Sequence, residues 1–550
     1  MRVAIAQVNS TVGDLRGNRR LVEEAASRAA SEGADLVVLP EMVLTGYPPM
    51  DLLDRSGFVR DQLRELEALE AISSRVPIVL GAVVPAEENR PRKLLNAAVL
   101  LADGARAAVR AKSLLPTYDV FDEKRYFRGA AERSTVTLGA NATAIGLTVC
   151  EDTWVDELGY SVNPVAELAQ QGARFVVNVS SSPWHVNKAA ERRNMIAALA
   201  KAHDVPIVFV NQVGGNDELL FDGGSFAADA KGRILKALPL FESAFDIVDL
   251  AATDGVAPDE IVDPDAVAQL EAGLVLGIRD YFRKQGLPPG AVIGLSGGID
   301  SALTAHLAVE ALGPERVLGV IMPGPFSSEH SVGDAQALGK LLGIEARRID
   351  ITPVYAAYLE IFGSLFGERA DYGVTQQNIQ SRIRGAILMA ISNAEGRLVL
   401  ATGNKSELSV GYCTLYGDTV GGLAVLGDVY KHDVYALAHR ANRERPRIPQ
   451  STLDKPPSAE LAPDQLDTDD LPSYDVLDGI LVQAIEGGLG AGRIAPPPGA
   501  NAKVVRDVVS RVDRNEYKRR QAPLVIRTSP KAFGSGRRLP IVHRYWEGED

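Results

Sequence analysis

At 550 residues, with 46% hydrophobic and 23% charged side chains, the chain has the balance of a folded globular protein and exceeds what one core ordinarily serves, so two or more domains are expected. A formal net charge of −13 argues against a nucleic-acid or anionic-membrane binder, and any anionic substrate must be held by local groups. Two cysteines, Cys150 and Cys413, are too few for a disulfide framework; with no long apolar signal or spanning segment, they point to a reducing, cytoplasmic setting.

In residues 1–250, β-branched apolar runs at 36–39, 77–80, 175–178 and 206–210 alternate with helical patterns. The turn-rich Ala102-Asp103-Gly104-Ala105 and Asp229-Ala230-Lys231-Gly232 join strand-like runs as hairpins, which predicts a mixed α/β sandwich. Residues 251–265 lose periodicity and gather Asp, Gly and Pro, the composition of an exposed linker. Across 266–550, strand-like runs at 291–295, 317–322, 346–350 and 398–401 alternate with helices, predicting a parallel sheet with ligands at the carboxyl ends of its strands. Proline and acidic residues dominate 445–472, which reads as a mobile surface loop. The basic cluster Lys518-Arg519-Arg520, with Arg514 nearby, is too short for a nucleic-acid footprint and reads as a solvated helix face, although it could meet phosphates in a pocket.

Cys150 follows the apolar run 145–149 and precedes Glu151-Asp152-Thr153-Trp154, so it sits at a strand end, where a lone cysteine usually means inert packing. Glu41 ends another strand in Leu39-Pro40-Glu41-Met42, and Lys112 follows the first hairpin. A carboxylate there is costly to bury without a partner, and a lysine can be that partner while lowering the pKa of a nearby thiol. Pro40-Glu41, Lys112 with residues 118–123, and residues 150–154 together resemble the Glu-Lys-Cys signatures of the nitrilase superfamily. The resemblance implies an α-β-β-α sandwich in which Glu41 takes the thiol proton, Cys150 attacks the side-chain amide of glutamine and Lys112 holds the developing oxyanion. It further implies glutamine contacts at Tyr118, Phe121, Glu151, Ser182 and Lys188; without the resemblance, Lys188 is a solvated helix-start residue.

Gly294-Leu295-Ser296-Gly297-Gly298-Ile299-Asp300-Ser301 follows a strand and leads into a helical pattern from Ala302, where glycines admit an anion to backbone N–H groups and the helix points its positive end at it. The run lacks the Gly-Lys-Ser/Thr of a Walker loop and resembles the Ser-Gly-Gly-x-Asp-Ser loop of ATP pyrophosphatases, which implies ATP binding by residues 294–301 and a magnesium ligand at Asp300. Thr402-Gly403-Asn404-Lys405-Ser406-Glu407 follows the run 398–401 at the same sheet edge and resembles the NAD synthetase signature, with a plain N-cap as the alternative. By that resemblance Thr402 and Lys431 would contact ATP, Asn378, Glu407 and Lys518 would contact deamido-NAD, and Glu407 would be a second magnesium ligand. Leu415 departs from the ammonia-only branch, where that position resembles a lysine, and no role carries over there.

Taken together, nearly the whole chain resembles the glutamine-dependent NAD synthetases. The fold implied is α/β, an α-β-β-α nitrilase-like sandwich followed by a Rossmann-like ATP pyrophosphatase domain. The activity implied is ATP-driven adenylation of deamido-NAD and displacement of AMP by ammonia released from glutamine, with magnesium as cofactor and a sheltered route for the ammonia. The same likeness implies a homo-oligomer, an octamer with paired synthetase domains, while the acidic charge argues for no nucleic-acid or membrane partner. Two other readings are an amidotransferase with a different acceptor, disfavoured by residues 402–407, and a nucleotide-binding regulator with a dead first domain, disfavoured by the intact Glu41, Lys112 and Cys150.

Overall fold

The computed structural model describes residues 1–86, 94–139, 141–287 and 289–545. The chain divides into two compact units, Met1–Pro264 and Asp265–Asp550.

Among the described residues the first unit holds two six-stranded sheets. One runs in the order Ala244–Asp249, Arg2–Gln7, Leu36–Val38, Ile78–Pro85, Leu94–Ala102 and Ala105–Ala111; the other in the order Ile234–Ala237, Phe226–Ala228, Ile207–Asn211, Val176–Ser180, Thr143–Val149 and Val136–Leu138. Both expected hairpins are antiparallel pairs in these sheets. Successive side chains on a strand point to opposite faces. Val3, Ile5 and Val38 therefore meet Val149, Val177 and Val208 between the sheets, while Ala4, Val37 and Ile78 meet the helices Leu15–Ser31 and Phe58–Ala68 outside the first. Val176, Ile207 and Phe209 likewise meet Pro164–Gln170 and Lys188–Ala202 outside the second. The result is α-β-β-α, and burial on both faces explains why the strands read as unbroken apolar runs. Each such Val, Ile or Phe side chain contributes about 1.5–3 kcal/mol on burial.

Residues 251–264, expected as an exposed linker, are instead pinned to the first unit. The buried Arg193 guanidinium donates to Pro258 O at 3.1 Å and pairs with Asp263 at 2.7 Å, and Ile234 N donates to Val256 O at 2.7 Å. A turn-like composition does not reveal that a distant arginine satisfies the segment's carbonyls.

The second unit carries a parallel sheet in the order Glu345–Arg348, Val317–Ile321, Ala291–Gly294, Leu398–Ala401, Leu423–Ala424 and Leu524–Val525. Chain order reverses between Ala291–Gly294 and Leu398–Ala401, and the loops leaving these neighbours open a crevice at their carboxyl ends, the usual ligand position in such sheets. The helix Ala266–Gln285 begins on Asp265, whose carboxylate accepts Ala268 N at 2.8 Å, and ends on Gly286 at φ 64°.

Two surface readings are corrected here. Residues 445–472 form a wall of the crevice rather than a mobile loop, because their acids find donors elsewhere. Glu460 accepts Ser328 Oγ at 3.0 Å and Ser331 Oγ at 2.7 Å and pairs with Lys455 at 2.6 Å, and Asp467 accepts the Tyr474 hydroxyl at 2.8 Å. The basic cluster is not a solvated face: Arg519 is buried, donates to Ser409 O at 2.6 Å and pairs with Glu516 at 2.9 Å, while Arg520 pairs with Glu516 at 3.0 Å. Among the described residues no helix is long and apolar enough to cross a membrane.

Candidate active sites

In the first unit the carboxyl ends of strands from both sheets converge. Gly81 lets the chain at Glu41 come close, since a Cβ there would stand 2.4 Å from Glu41 Cα. Glu41 is fully buried; its Oε2 accepts Ser181 N of the opposite sheet at 2.8 Å, and its Oε1 accepts Asn96 Nδ2 at 2.6 Å and Lys112 Nζ at 3.0 Å. Lys112 Nζ also donates to Glu123 Oε1 at 2.7 Å, which accepts the Tyr47 hydroxyl at 3.1 Å. Burial alone would push Lys112 down, but the Glu123 and Glu41 carboxylates hold its ammonium well above the ordinary value. Burial pushes the Glu123 carboxyl up against the opposing pull of Lys112.

Cys150 opens the short turn Cys150–Thr153 at φ 41°, a left-handed conformation that costs a non-glycine residue about 1–2 kcal/mol. Burial, and then the charge of Glu41, push its thiol well up, with Lys112 acting the other way. Beside it Glu151 accepts the Tyr118 and Tyr160 hydroxyls, each at 2.9 Å, and Phe121 packs edge-on against Tyr118 with ring centroids 5.4 Å apart. Ser182 N donates to Asn211 Oδ1 at 2.9 Å. Lys188 Nζ lies 3.9 Å over the Trp154 ring and 3.0 Å from Glu191, which makes it a packed residue rather than a solvated one. Glu41, Lys112, Cys150, Tyr118, Phe121 and Glu151 thus gather in one region. Asn96 and Tyr160 were not singled out from sequence, and Glu123 entered only as the end of the stretch 118–123 that carries the resemblance, without a role of its own.

In the second unit the loop after Ala291–Gly294 turns through Gly297 at φ 81°, where a Cβ would stand 2.4 Å from Ser331 O. Ser296 Oγ accepts Gly298 N at 3.1 Å, and Ser301 Oγ donates to Gly298 O at 3.0 Å. The helix Ile299–Leu312 starts three residues before the apolar pattern from Ala302, so Asp300 lies in its first turn, at the positive end. A cavity of about 590 Å³ opens here. It is lined by Gly294, Leu295, Ser296, Gly298, Ile299 and Asp300 from this loop and by Thr402, Lys431, Asn378, Glu407 and Lys518 from elsewhere in the unit. Gly297 and Ser301 instead hold the loop's shape.

Lys431 Nζ stands between two acids, 2.5 Å from Asp300 Oδ2 and 3.3 Å from Glu407 Oε1. Burial would lower its pKa, but Asp300 and Glu407 hold it well up; burial also raises the Glu407 carboxyl, with Lys431 opposing. Asn404 joins the motifs: its Nδ2 donates to Asp300 Oδ1 at 2.8 Å, and its Oδ1 accepts Glu407 N at 3.0 Å as the cap of the helix Lys405–Val410. Lys518 Nζ donates to Gly411 O at 2.6 Å and Cys413 O at 2.9 Å, and Asn378 Oδ1 accepts Thr414 Oγ1 at 2.9 Å. Lys405 turns away to pair with Glu486 at 2.6 Å and Asp428 at 2.8 Å. Among the described residues no group of three or more His, Cys, Asp or Glu side chains could hold a metal ion. Asp300 and Glu407, the two acids expected to hold magnesium, both line the cavity, with the Lys431 ammonium between them.

A buried acid–lysine–cysteine set in a sandwich and a glycine loop at a parallel-sheet switch point define a two-unit enzyme. Residues 2–254 match the carbon-nitrogen hydrolase family and residues 271–522 the NAD synthase family. The chain is 46% identical to the glutamine-dependent NAD(+) synthetase of Synechocystis sp., covering 99% of each chain. It is 41% identical to that of Thermotoga maritima, covering 100% of this chain and 99% of that one. A solved structure of glutamine-dependent NAD+ synthetase from Acinetobacter baumannii in complex with adenosine diphosphate is 37% identical, with a TM-score of 0.76 over 98% of each chain. The chain belongs to the glutamine-dependent NAD(+) synthetase family.

Proposed function

We propose that this chain amidates deamido-NAD to NAD at the expense of ATP, with ammonia that its own first unit cuts from glutamine. One observation carries the reading: a chain alike to these synthetases over its whole length keeps both the buried Glu41, Lys112 and Cys150 and the cavity around Asp300.

In the first unit Cys150 Sγ attacks the amide carbon of glutamine as its proton passes to Glu41, and Glu41 returns that proton to the leaving nitrogen. Ammonia departs, and water, deprotonated by Glu41, frees glutamate from the thioester. The Lys112 ammonium faces the oxyanion in both steps. Tyr118, Phe121, Glu151, Ser182 and Lys188 hold the substrate. In the second unit Gly294, Leu295, Ser296, Gly298, Ile299 and Asp300, on a loop that Gly297 and Ser301 shape, hold ATP with Thr402 and Lys431, and Asn378, Glu407 and Lys518 hold deamido-NAD. The deamido-NAD carboxylate displaces pyrophosphate from the α-phosphorus, and ammonia then displaces AMP from the acyl-adenylate. Asp300 and Glu407 would hold magnesium, which supplies neutralising charge for the phosphates. We assign glutamine hydrolysis to residues 1–250 and the ligase step to 266–550, with 251–265 between them. A cytoplasmic homo-oligomer, an octamer, is the assembly the family likeness favours.

The test is NAD production from deamido-NAD, ATP, magnesium and glutamine, with AMP and glutamate followed and each component omitted in turn. NAD formation requiring all four supports the reading. AMP release with another carboxylate acceptor and none with deamido-NAD would overturn it.

A further inference from the structure

The residues proposed for glutamine hydrolysis are divided between the two sheets. Lys112 directly follows the strand Ala105–Ala111 of the first sheet, and Cys150 directly follows Thr143–Val149 of the second. Lys112's own backbone is tied by Lys112 N to Asn96 O at 2.8 Å and by Ala130 N to Lys112 O at 2.9 Å, neither of which reaches Cys150. Glu41 ties the Lys112 ammonium to Ser181 of the second sheet, and a second link, between the backbones beside Lys112 and Cys150, runs through Asp152, a buried residue with 1% exposure. Its Oδ1 accepts Ser113 N and Leu114 N, each at 2.9 Å, and its Oδ2 accepts Val149 N at 3.0 Å. One carboxylate thus bonds the two residues after Lys112 to the residue before Cys150, at the point where the chain enters the left-handed turn at φ 41°.

We propose that Asp152 is a positioning residue for glutamine hydrolysis, setting the distance of the Lys112 ammonium from the Cys150 sulfur. The inference rests on the function proposed above. Only a carboxylate suits the place: both oxygens are used, all three partners are donors, and an asparagine would turn its own NH2 toward an N–H. Loosened, the clamp lets Lys112 drift from the thiol and from the oxyanion, while the pocket around Glu151 keeps its Tyr118 and Tyr160 bonds.

The test compares the full-length wild type with Asp152→Asn and Asp152→Glu. In both variants kcat for glutamate release should fall about tenfold to a hundredfold, the cost of a misplacement of about an ångström, with KM for glutamine within about threefold. The pH profile of Cys150 alkylation by iodoacetamide should move to higher pH as the cation recedes. NAD formation from added ammonium should stay within about twofold of wild type, showing that the second unit is intact. If Asp152→Asn does not fold, Asp152→Glu, which keeps the charge on a longer arm, decides on the same readouts. A wild-type alkylation profile in a folded variant overturns the inference, whatever the activity. A wild type that forms NAD from ammonium but releases no glutamate overturns the glutaminase reading itself, and the inference with it.

Discussion

Asn404 Nδ2 donates to Asp300 Oδ1 across 2.8 Å, bonding the loop that follows one strand of the switch point to the loop that follows its neighbour. The other end of the same amide caps Glu407 N, so one side chain orients both acids that face Lys431.

Asn404→Ala should therefore lower NAD formation by more than about tenfold, and equally with glutamine or ammonium as nitrogen source, because the defect lies after ammonia is made. The lost N-cap costs about 1 kcal/mol, too little to unfold the unit. Steady-state assays with the two nitrogen sources and a denaturant titration check this; a loss confined to glutamine would contradict it.

Gly297→Ala meets an obstacle that no rotamer relieves. The new Cβ would stand 2.4 Å from the backbone oxygen of Ser331, at a φ of 81° that only glycine adopts freely. The loop must deform, and ATP-dependent NAD formation should be lost from both nitrogen sources. Retained activity with an unchanged KM for ATP would count against the loop's proposed role.

What sequence could and could not show follows from where each residue's partner lies. Glu41 and Lys112 stand out because each follows a strand with a charge that apolar packing does not explain, whereas Cys150 alone reads as inert packing and takes its meaning from them. Asp152 and Asn404 lie inside motifs that the sequence offers, but their partners Ser113, Leu114 and Asp300 lie far away in the chain, 104 positions in the case of Asn404 and Asp300, and Asn96 has no local pattern to mark it. Residues 445–472 read as solvated because the donors to Glu460 and Asp467 include Ser328, Ser331, Tyr412 and Tyr474, which lie outside the segment. The strands Leu423–Ala424 and Leu524–Val525 have two residues each, too few for any period to show.

Glu123 shares Lys112 with Glu41, and its charge governs how strongly that ammonium holds the proposed base. Glu123→Gln keeps an oxygen for Lys112 and Tyr47 but removes the charge that competes with Glu41 for the Lys112 ammonium. Glutamate release should slow about tenfold, part of what acid–base catalysis contributes, with ammonium-driven NAD formation unchanged. Glu123→Ala breaks the buried pair outright and should destabilise by about 3–5 kcal/mol, visible as a lower unfolding midpoint. An alanine variant as stable as the glutamine one would show that the pair adds little.

His432 gives the second unit a pH dependence of definite sign. Hydrogen bonds to Asp433 at 3.1 Å and Asp478 at 3.4 Å, against some burial, push it up to about 10. The folded state thus holds the proton more tightly than the unfolded chain. The stabilisation is complete below the ordinary histidine value of about 6.5, declines as pH rises above it, and is gone above about 10. Because the ring is half exposed, solvent screens the effect and keeps it modest. Urea midpoints of wild type and His432→Gln should differ most at about pH 6 and converge near pH 10.5, whereas a gap that held or widened with pH would contradict the assignment. The consequence reaches the cavity: Asp478 also accepts Ser406 Oγ, and Ser406 Oγ accepts Lys431 N at 3.0 Å. Loss of the imidazolium charge therefore loosens the seat of the lysine that faces Asp300 and Glu407, and KM for ATP in the variant should rise at neutral pH and match wild type at pH 10.5.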